Sequence, residues 1–366
     1  MTTTFSRRQL LQAGIAASLP LPALAQERRF APQVGPWRTF EVTVTVNVAD
    51  PQGTTRLWLP VPDLDNNWQR SIDNSWSGNA SQAGLVADPK AGVRMLMAEF
   101  APSVKAPTLQ FTTKLQTRNR AVDWSQRNLA AEDPAVLRAN LQPSEFKPLD
   151  GIVRQTALAA TKGAKTDVQK ARALYDWVVT NAYREPKTRG CGTGDIKTML
   201  ETGNLGGKCA DLNALFVGLC RAAGVPARDV YGLRLVPSAF GYKELGGNPA
   251  NLKGAQHCRA EAYLAGYGWV AMDPADVLKV MRQETPDWIK DRKNAVAAPV
   301  DAALFGSWEG NWVGWNSASD VTLPGSVSAQ TLPFLMYPNG ENQSGRFDEL
   351  SPDTFKYAIS AREITT

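Results

Sequence analysis

The sequence predicts an α+β fold, with strands in its first third and a mixture of helices and strands after it. Residues 37–59 and 107–116 alternate polar and apolar side chains, as in the run from Thr39 to Val46, which is the period of a half-buried strand. From Leu149 onward the apolar spacing becomes helical. A glycine-rich turn, a helix and a two-strand pattern follow between residues 206 and 274. These observations predict a β-rich domain followed by a mixed domain.

We expect four parts along the chain. Residues 1–25 read as a signal peptide, 26–125 as a β-sandwich-like domain, 126–290 as a second domain that carries the chemistry, and 291–366 as a tryptophan-rich C-terminal extension. In the second domain, Thr166 with Gln169 three residues later is typical of a capping box at a helix start.

The C-terminal extension contains two features of interest. Trp308, Trp312 and Trp315 stand among glycines, and tryptophans at that density either line a cleft or belong to a core. The tail from Thr354 to Ile359 alternates like a strand, so we expect it to return to a sheet.

A helix is predicted to follow a glycine-rich turn, with Cys209 near its start. The glycine turn before it ends in Gly207 and Lys208, and apolar residues follow at helical spacing at positions 212, 215, 216 and 219. Gly224 and Pro226 then provide a stop signal. Cys209 therefore falls in the first turn, where unpaired backbone N–H groups and the helix dipole favour a thiolate.

Two further residue types of cysteine catalysis follow on a predicted hairpin. Residues 256–264 and 268–274 read as strands joined by the turn 265–267. His257, the only histidine in the chain, stands near the start of one strand and Asp273 near the end of the other, so antiparallel pairing makes them neighbours. A thiol, an imidazole and a carboxylate in this order suggest nucleophilic catalysis. Each taken alone would more simply be a buried thiol, a core histidine and a turn aspartate.

In these motifs the chain resembles the transglutaminase-like superfamily of papain-type cysteine enzymes. The matching segments are Gly207 to Cys209, Gly224 to Arg228, His257 to Glu261, and Gly268 to Pro274. The resemblance implies a papain-like transglutaminase core, in which a catalytic helix packs on an antiparallel sheet. It also implies Cys209 as nucleophile, His257 as acid and base, and Asp273 as the group that orients the imidazole.

The chain departs from the family pattern at two positions. Arg259 stands where the family usually has tryptophan, which leaves the pocket wall and substrate preference open. Gly203 replaces the papain-type glutamine six positions before the cysteine, so the oxyanion would be held by the Cys209 backbone N–H and a second donor, for which Asn204 is a candidate.

Glu261 and Trp269 are further candidates for substrate contact. Glu261 shares a strand face with His257 and Arg259 by period-two spacing, so it could bind a substrate amine or tune the imidazole. A salt-bridged strand glutamate is the plain alternative. Trp269 belongs to the motif that begins at Gly268 and ends at Asp273 and Pro274.

The four cysteines allow several pairings. Cys220 lies in the predicted helix, where burial is expected. Cys191 and Cys258 could form a disulfide beside the site, remain free thiols, or lock Cys209 in a redox-dependent disulfide. With one histidine and no Cys-x-x-Cys pair, the sequence predicts neither a metal site nor another cofactor.

The first residues predict export. The run Ser6 to Leu11 contains Arg7 and Arg8 and is followed by a mildly apolar stretch that ends in Ala23-Leu24-Ala25, which resembles a twin-arginine signal with a cleavage site. We therefore expect a periplasmic or secreted protein that begins near Gln26. No later apolar run approaches the roughly 18 residues of a membrane helix, so integral membrane association is not expected. A net charge of +5 without a cluster of basic residues does not indicate nucleic-acid binding.

The sequence thus predicts an exported cysteine enzyme that cleaves or transfers an amide or peptide acyl group through a thioester on Cys209, with hydrolysis favoured. The expected substrates are peptide, protein or peptidoglycan-like amides, and no oligomeric state is indicated. The competing hypothesis is a periplasmic binding or scaffold protein that keeps the fold without catalysis.

Overall fold

The computed structural model describes residues 29–364, and the predicted export signal lies outside that range. The described residues form antiparallel sheets with helices packed on one of them, which confirms the α+β class. No helix in this range is long and apolar enough to cross a membrane.

The strands are short, and most pair antiparallel. In chain order they are β1 (Arg38–Asn47), β2 (Thr55–Pro60), β3 (Gln69–Gly78), β4 (Gln82–Ala87), β5 (Arg94–Phe100), β6 (Thr108–Thr117), β7 (Arg120–Ala121), β8 (Tyr183–Arg184), β9 (Gly206–Gly207), β10 (Ala227–Arg234), β11 (Gln256–Leu264), β12 (Gly268–Met272), β13 (Ser307–Trp308), β14 (Trp312–Asn316), β15 (Asn339–Asn342), β16 (Gly345–Arg346) and β17 (Tyr357–Ile364).

The helices are concentrated in the middle of the chain. They are α1 (Pro134–Ala139), α2 (Gly151–Ala160), α3 (Asp167–Asn181), α4 (Ile196–Thr202), α5 (Cys209–Ala222), α6 (Pro274–Lys279), α7 (Ala298–Ala303) and α8 (Pro352–Phe355), with a 3-10 turn at Lys243–Leu245 and a π-helical turn at Val280–Glu284. The capping box of α3 is confirmed, because the Thr166 side chain accepts from the Gln169 N–H and the Gln169 side chain accepts from the Thr166 N–H.

Two antiparallel sheets form the β-rich part of the molecule. Their strand orders are β17-β1-β6-β3 and β16-β15-β2-β5-β4. Along β1 every second residue is buried, from Phe40 to Val46, and these side chains share one apolar core with Leu57 and Leu59 of β2. Because strand side chains alternate between faces, this pattern gives each sheet one buried face.

The C-terminal segment is not a separate extension. Its strand β14 pairs with β10, β15 pairs with β2, and β17 pairs with β1 along eight residue pairs. The predicted boundary at residue 290 therefore cuts through sheets that residues on both sides of it build. The alternation of the tail correctly indicated a strand, but the strand's partner depends on packing far away in the sequence.

The tryptophans of that segment belong to the core. Trp308, Trp312 and Trp315 are 1%, 1% and 2% exposed, so the interpretation in which they line a cleft is wrong. Trp68 packs edge-on against Trp308 and stacks on Trp312, and these rings fill the space between the sandwich and the second part of the molecule.

The second part is built around α5. It packs on β10 and β11 of a four-stranded antiparallel sheet in the order β12-β11-β10-β14, and α2 and α3 also pack against it. All residues of α5 except Arg221 are buried. The apolar residues of α5 face its neighbours on several sides, and this burial fixes the position of its first residue, Cys209.

Candidate active site

Cys209 is the first residue of α5, as the sequence predicts, and the chain reaches it through a tightly packed glycine turn. The β9 strand before it pairs in parallel with β8. A Cβ on Gly206 would lie 2.4 Å from the ring of Tyr183, and a Cβ on Gly207 would lie 2.5 Å from Cβ of Asp211. Only glycine therefore fits both positions without a shift of the neighbouring atoms. Cys209 thus lies at the N-terminal end of the helix dipole, which favours an anion.

Asp211 holds the loop around residue 192 against the start of α5. Its carboxylate accepts hydrogen bonds from the backbone N–H groups of Lys208 at 3.0 Å, Thr193 at 3.0 Å and Gly194 at 2.9 Å. The Ala210 N–H donates to the Cys191 carbonyl at 2.9 Å. These contacts bring Cys191 beside Cys209, although the two residues lie in different segments.

The predicted hairpin is confirmed as β11 and β12, and it brings His257 and Asp273 together. His257 Nε2 lies 2.8 Å from Asp273 Oδ2. The other oxygen, Asp273 Oδ1, accepts from Asn213 Nδ2 at 3.2 Å and from the Asp276 N–H at 3.1 Å, because Asp273 is the N-cap of α6. Both oxygens are thus held, and one of them fixes the imidazole.

Asn213, Arg234 and Asp276 are contributors that the sequence reasoning missed. Asp276 Oδ2 lies 3.3 Å from His257 Nε2, and Asp276 Oδ1 accepts from Arg234 at 2.5 Å. Asn213 in α5 also donates to the Cys258 carbonyl at 2.8 Å, which ties the helix to β11. An acidic residue in the first turn after Asp-Pro was a signal for Asp276. No local signal marks Arg234.

The electrostatics favour an imidazolium at His257. Burial and the Arg234 charge lower its pKa, but the Asp276 and Asp273 carboxylates outweigh them and raise the pKa from 6.5 to about 9. Asp276 keeps its own pKa well below the usual range against the opposing effect of burial, because Arg234 and His257 are beside it. Burial and the Asp276 charge raise the pKa of Asp273.

The thiol of Cys209 is correspondingly acidic. Burial raises its pKa, but hydrogen bonds with Cys191, Cys258 and His257, together with the His257 charge, bring the pKa well below the usual value. At neutral pH the arrangement therefore supports a thiolate beside an imidazolium.

Three of the four cysteines form a sulfur cluster, defined here as Cys191, Cys209 and Cys258. All four cysteines are free thiols in the structure, so of the three alternatives left open for Cys191 and Cys258 the disulfide between them is not formed. Hydrogen bonding to Cys209 raises the pKa of Cys191, and burial does the same for Cys258, so both are neutral donors toward a Cys209 thiolate. Cys220 is buried in α5, as expected.

A cleft of about 630 Å³ contains both Cys209 and His257 in its lining. Tyr337, Pro352 and Tyr357 of the C-terminal segment form one wall of it. The loop between β10 and β11 forms another, with residues between Gly246 and Ala255, and Gln256 at the start of β11 adjoins it. The sulfur is therefore reached from solvent through a groove that three distant parts of the chain enclose.

Asn204 does not line this cleft. Its Oδ1 accepts from the Tyr183 hydroxyl at 2.9 Å and from the Gly206 N–H at 3.2 Å. Its side-chain carbonyl oxygen holds the turn before β9, and Asn204 is absent from the cleft lining. A role for the Asn204 amide N–H in binding an oxyanion stays a prediction.

Glu261 and Trp269 lie outside the cleft as well. Glu261 is four residues from His257 along β11, about 13 Å at the usual rise per residue, so sharing a face does not bring it to the sulfur. It is buried and ion-paired with Arg120 and with Arg228, the latter at 2.5 Å, in agreement with the plain alternative. Trp269 donates a hydrogen bond to Glu132 at 2.9 Å. Trp269 and Glu261 both line a second cavity of about 380 Å³, which is separate from the cleft at Cys209.

Arg259 stands behind the carboxylate rather than in the pocket wall. Its Nε lies 3.6 Å from Asp273 Oδ2, and its guanidinium lies over the ring of Trp312 at 4.6 Å. Burial lowers the pKa of Arg259 to about 10. The arginine that replaces the family's tryptophan therefore compensates the charge of Asp273 and does not touch the cleft.

One group of residues in the range 29–364 has the geometry to hold a cation, namely His257, Asp273 and Asp276. Both carboxylates already have cationic neighbours in Arg259 and Arg234. A metal ion there would have to displace those charges, so the donor set fits an imidazolium better than a metal.

Comparison with known proteins identifies the family and the fold. Residues 154–274 match the transglutaminase-like superfamily. An uncharacterized protein of Haemophilus influenzae is 32% identical over 345 residues, which cover 89% of this chain and 91% of that protein. An uncharacterized protein of Bacillus subtilis, YebA, is 22% identical over 260 residues, 68% of this chain and 33% of that protein. A crystal structure of a candidate cysteine protease from Cytophaga hutchinsonii has a TM-score of 0.50 at 18% identity, over 90% of this chain and 99% of that one, and this likeness concerns the fold.

Proposed function

Because the chain belongs to the transglutaminase-like superfamily, we propose that it is an exported cysteine enzyme that cleaves or transfers the acyl group of an amide or peptide through a thioester on Cys209. The observation that carries this proposal is the site itself. A thiol with a lowered pKa stands at the start of a buried helix, beside an imidazole with a raised pKa that two carboxylates hold. A structural thiol has no need of that environment.

The first half of the reaction forms the acyl-enzyme. The Cys209 thiolate attacks the carbonyl carbon, and the carbonyl oxygen becomes an oxyanion that the Cys209 backbone N–H can bind. When the C–N bond breaks, the His257 imidazolium donates its proton to the leaving amine. Asp273 and Asp276 contact Nε2, so the other ring nitrogen, Nδ1, is left to face the sulfur and the leaving group.

The second half releases the acyl group. His257 is now neutral and takes a proton from an incoming water molecule, whose oxygen attacks the thioester carbon. The C–S bond breaks and the electron pair returns to sulfur, which restores the thiolate and the imidazolium and yields a carboxylic acid. A primary amine in place of water would yield a new amide by the same steps. The likeness of the fold to a candidate cysteine protease from Cytophaga hutchinsonii supports water as the acceptor.

Export is the second part of the proposal. It rests on the run from Ser6 to Leu11 and on the small-residue motif that ends at Ala25. A twin-arginine signal carries proteins that are already folded, which suits an enzyme whose cleft is built from distant segments. Replacement of Arg7 and Arg8 by lysine is expected to retain the full-length protein in the cytoplasm, as read by cell fractionation and the mass of its N-terminal peptide.

The reactivity of Cys209 is the direct test. Iodoacetamide at pH 6 with peptide mass spectrometry is expected to label Cys209 quickly in the mature protein, and His257→Ala is expected to remove that fast reaction because the thiolate loses its cation. Cys220→Ala is the matched control and should change nothing. Labelling of Cys209 no faster than that of a free thiol would favour the non-catalytic scaffold hypothesis.

The acceptor can then be identified with any amide that acylates the enzyme. Incubation in ¹⁸O-labelled water with an excess of cadaverine should give an ¹⁸O-labelled carboxylic acid if hydrolysis dominates. A cadaverine adduct as the main product would instead make the protein an acyltransferase.

A further inference from the structure

The cleft at Cys209 has an unusual charge pattern. Five basic side chains line it, and no aspartate or glutamate does so within the part of the chain that the structure describes. The basic residues are Arg184, Lys208, Arg234, Lys253 and Lys279. A cleft lined by one sign of charge concentrates ligands of the opposite sign.

Three of these five charges are already compensated by carboxylates. Arg234 pairs with Asp276 at 2.5 Å, Lys253 with Asp353 at 2.6 Å, and Lys279 with Glu244 at 3.4 Å. These side chains therefore add little uncompensated charge to the cleft.

Arg184 and Lys208 are different, because neither has a carboxylate within ion-pairing distance among residues 29–364. Arg184 Nε donates to the neutral Gln283 Oε1 at 2.9 Å, which fixes the guanidinium without cancelling its charge. Lys208 has Asp211 nearby, but that carboxylate is occupied by three backbone N–H groups.

Arg184 and Lys208 stand on adjacent backbone segments and line the same cleft. In the parallel pairing of β8 with β9, Arg184 is the partner of Gly207, the residue before Lys208. Burial lowers the pKa of Lys208, and the Arg184 charge lowers it further. Two like charges in a partly buried groove repel each other, and an anion bound between them would relieve that repulsion.

We propose that Arg184 and Lys208 form a carboxylate-binding subsite, and that the substrate is an amide with a carboxylate group close to the bond that is cleaved. The proposal rests on the function proposed above and names its substrate class. Lys208 directly precedes Cys209, and both residues line the same cleft, so a carboxylate held by Lys208 would share that cleft with the carbonyl under attack. Arg184 offers a planar donor pair that matches a carboxylate.

A second role for the two cations would be to stabilise the Cys209 thiolate. The strongest influences on the pKa of Cys209 apart from burial come instead from Cys191, Cys258 and His257. The Cys209 charge nevertheless raises the pKa of Lys208, so this cation also interacts with the thiolate. The two roles predict different results with reagents of different charge.

Iodoacetate and iodoacetamide make this comparison without a known substrate. Both alkylate a thiolate with loss of iodide, and they differ by one carboxylate in place of a carboxamide. In the mature protein, the ratio of the Cys209 rate with iodoacetate to that with iodoacetamide is expected to exceed the ratio for N-acetylcysteine. In Arg184→Gln/Lys208→Gln it should fall about tenfold, as for the loss of charge-assisted hydrogen bonds. About 0.5 M salt should also lower it.

Lys187→Gln is the matched control, because Lys187 is an exposed lysine just after β8 and lies outside the cleft lining. It removes one positive charge from the same segment and should leave the ratio unchanged. Unchanged melting temperatures would show that all variants are folded.

The outcomes separate this proposal from the proposed function. Fast alkylation by iodoacetamide with a ratio equal to that of N-acetylcysteine, or with a ratio that the double variant leaves intact, would keep the cysteine chemistry and overturn the subsite. An equal loss of rate with both reagents in the double variant would mean that the two cations stabilise the thiolate, and this result would overturn the subsite as well. Slow alkylation by iodoacetamide, together with a high iodoacetate-to-iodoacetamide ratio that the double variant lowers, would support the subsite and contradict the proposed enzyme function.

Peptide substrates then identify the source of the carboxylate. Matched quenched-fluorescence peptides should carry either Glu or Gln next to the candidate bond, and either a free or an amidated C-terminus. A lower KM for the Glu peptides that disappears in the double variant would assign a side-chain carboxylate, and the same effect of the free terminus would assign a main-chain carboxylate. Equal KM values across all four peptides would contradict the proposal.

Discussion

Asp276 Oδ2 lies 3.3 Å from His257 Nε2, on the nitrogen that Asp273 contacts at 2.8 Å. The imidazole therefore shares one edge with two carboxylates. Arg234 and Arg259 stand behind these carboxylates, so that positive and negative groups alternate through a buried row. Such a row favours the charged form of His257 although its side chain is buried, because each buried ion has a partner of opposite sign.

The first prediction concerns the titration of His257. Its pKa is raised to about 9, so its ring signals in NMR should titrate near pH 9 instead of near the ordinary value of 6.5. His257 is the only histidine in the chain, so a protein without a histidine tag gives an unambiguous signal. Because the folded pKa exceeds the unfolded one, the stability from this group is fully present below about pH 6.5 and is lost as the pH rises through about 9.

Asp273→Asn is the matching variant for that titration. It removes one of the two carboxylates that raise the pKa of His257, so the midpoint should move toward lower pH. A wild-type midpoint near 6.5 would contradict the buried ion pair described here.

The second prediction concerns Asp276. Asp276→Asn leaves the buried Arg234 guanidinium without its partner, and we expect a loss of about 3–5 kcal/mol in the free energy of unfolding. The pKa of His257 should fall as well, because a raising charge is lost and the opposing charge of Arg234 remains. Urea unfolding and the NMR titration measure the two effects.

Arg234→Gln/Asp276→Asn tests the cause of that loss. A neutral amide pair removes both ions, so most of the stability should return. A double variant as unstable as Asp276→Asn alone would mean that the carboxylate is needed for packing or capping and that the charge imbalance is not the reason.

The third prediction concerns the sulfur cluster. Cys191→Ala and Cys258→Ala each remove a hydrogen-bond donor to the Cys209 thiolate, so the pKa of Cys209 should rise in both. Iodoacetamide rates between pH 4 and 9 would show this as a shift of the alkylation midpoint toward higher pH. Cys220→Ala removes a buried thiol from the same helix outside the cluster and should leave the midpoint in place. Unshifted midpoints in both cluster variants would assign the low pKa to His257 alone.

The fourth prediction concerns Glu261. Its carboxylate joins Arg120 and Arg228 in the second cavity, so Glu261→Gln should destabilise the fold by about 3–5 kcal/mol in urea unfolding. The labelling rate of Cys209 in the folded variant should be unchanged, since Glu261 lies outside the cleft. Glu201→Gln breaks an exposed pair with Lys197 and should cost less than about 1 kcal/mol. If Glu261→Gln instead lost Cys209 reactivity and kept normal stability, Glu261 would have to act in the active site.

The glycine turn, the helix start at Cys209 and the hairpin that joins His257 to Asp273 were predictable from the sequence. Each of them depends on residues close together along the chain, through turn chemistry, helical or strand period and a short antiparallel connection. The same local rules failed for Glu261. A shared strand face with His257 does not give the distance between the two side chains, and it does not reveal that Arg120 and Arg228 bind the Glu261 carboxylate.

The sequence by itself therefore determined the chemical types at the site and the local elements that carry them. Only the tertiary structure decided that Arg234 pairs with Asp276, that Cys191 reaches Cys209, and that Arg184 and Lys208 share a cleft with no acidic side chain in its lining. It also decided that Trp312 pairs with β10 through its backbone and donates a hydrogen bond from its ring to the His257 carbonyl. These contacts join residues that are distant along the chain, and their formation depends on how whole sheets and helices pack, which local propensity does not encode.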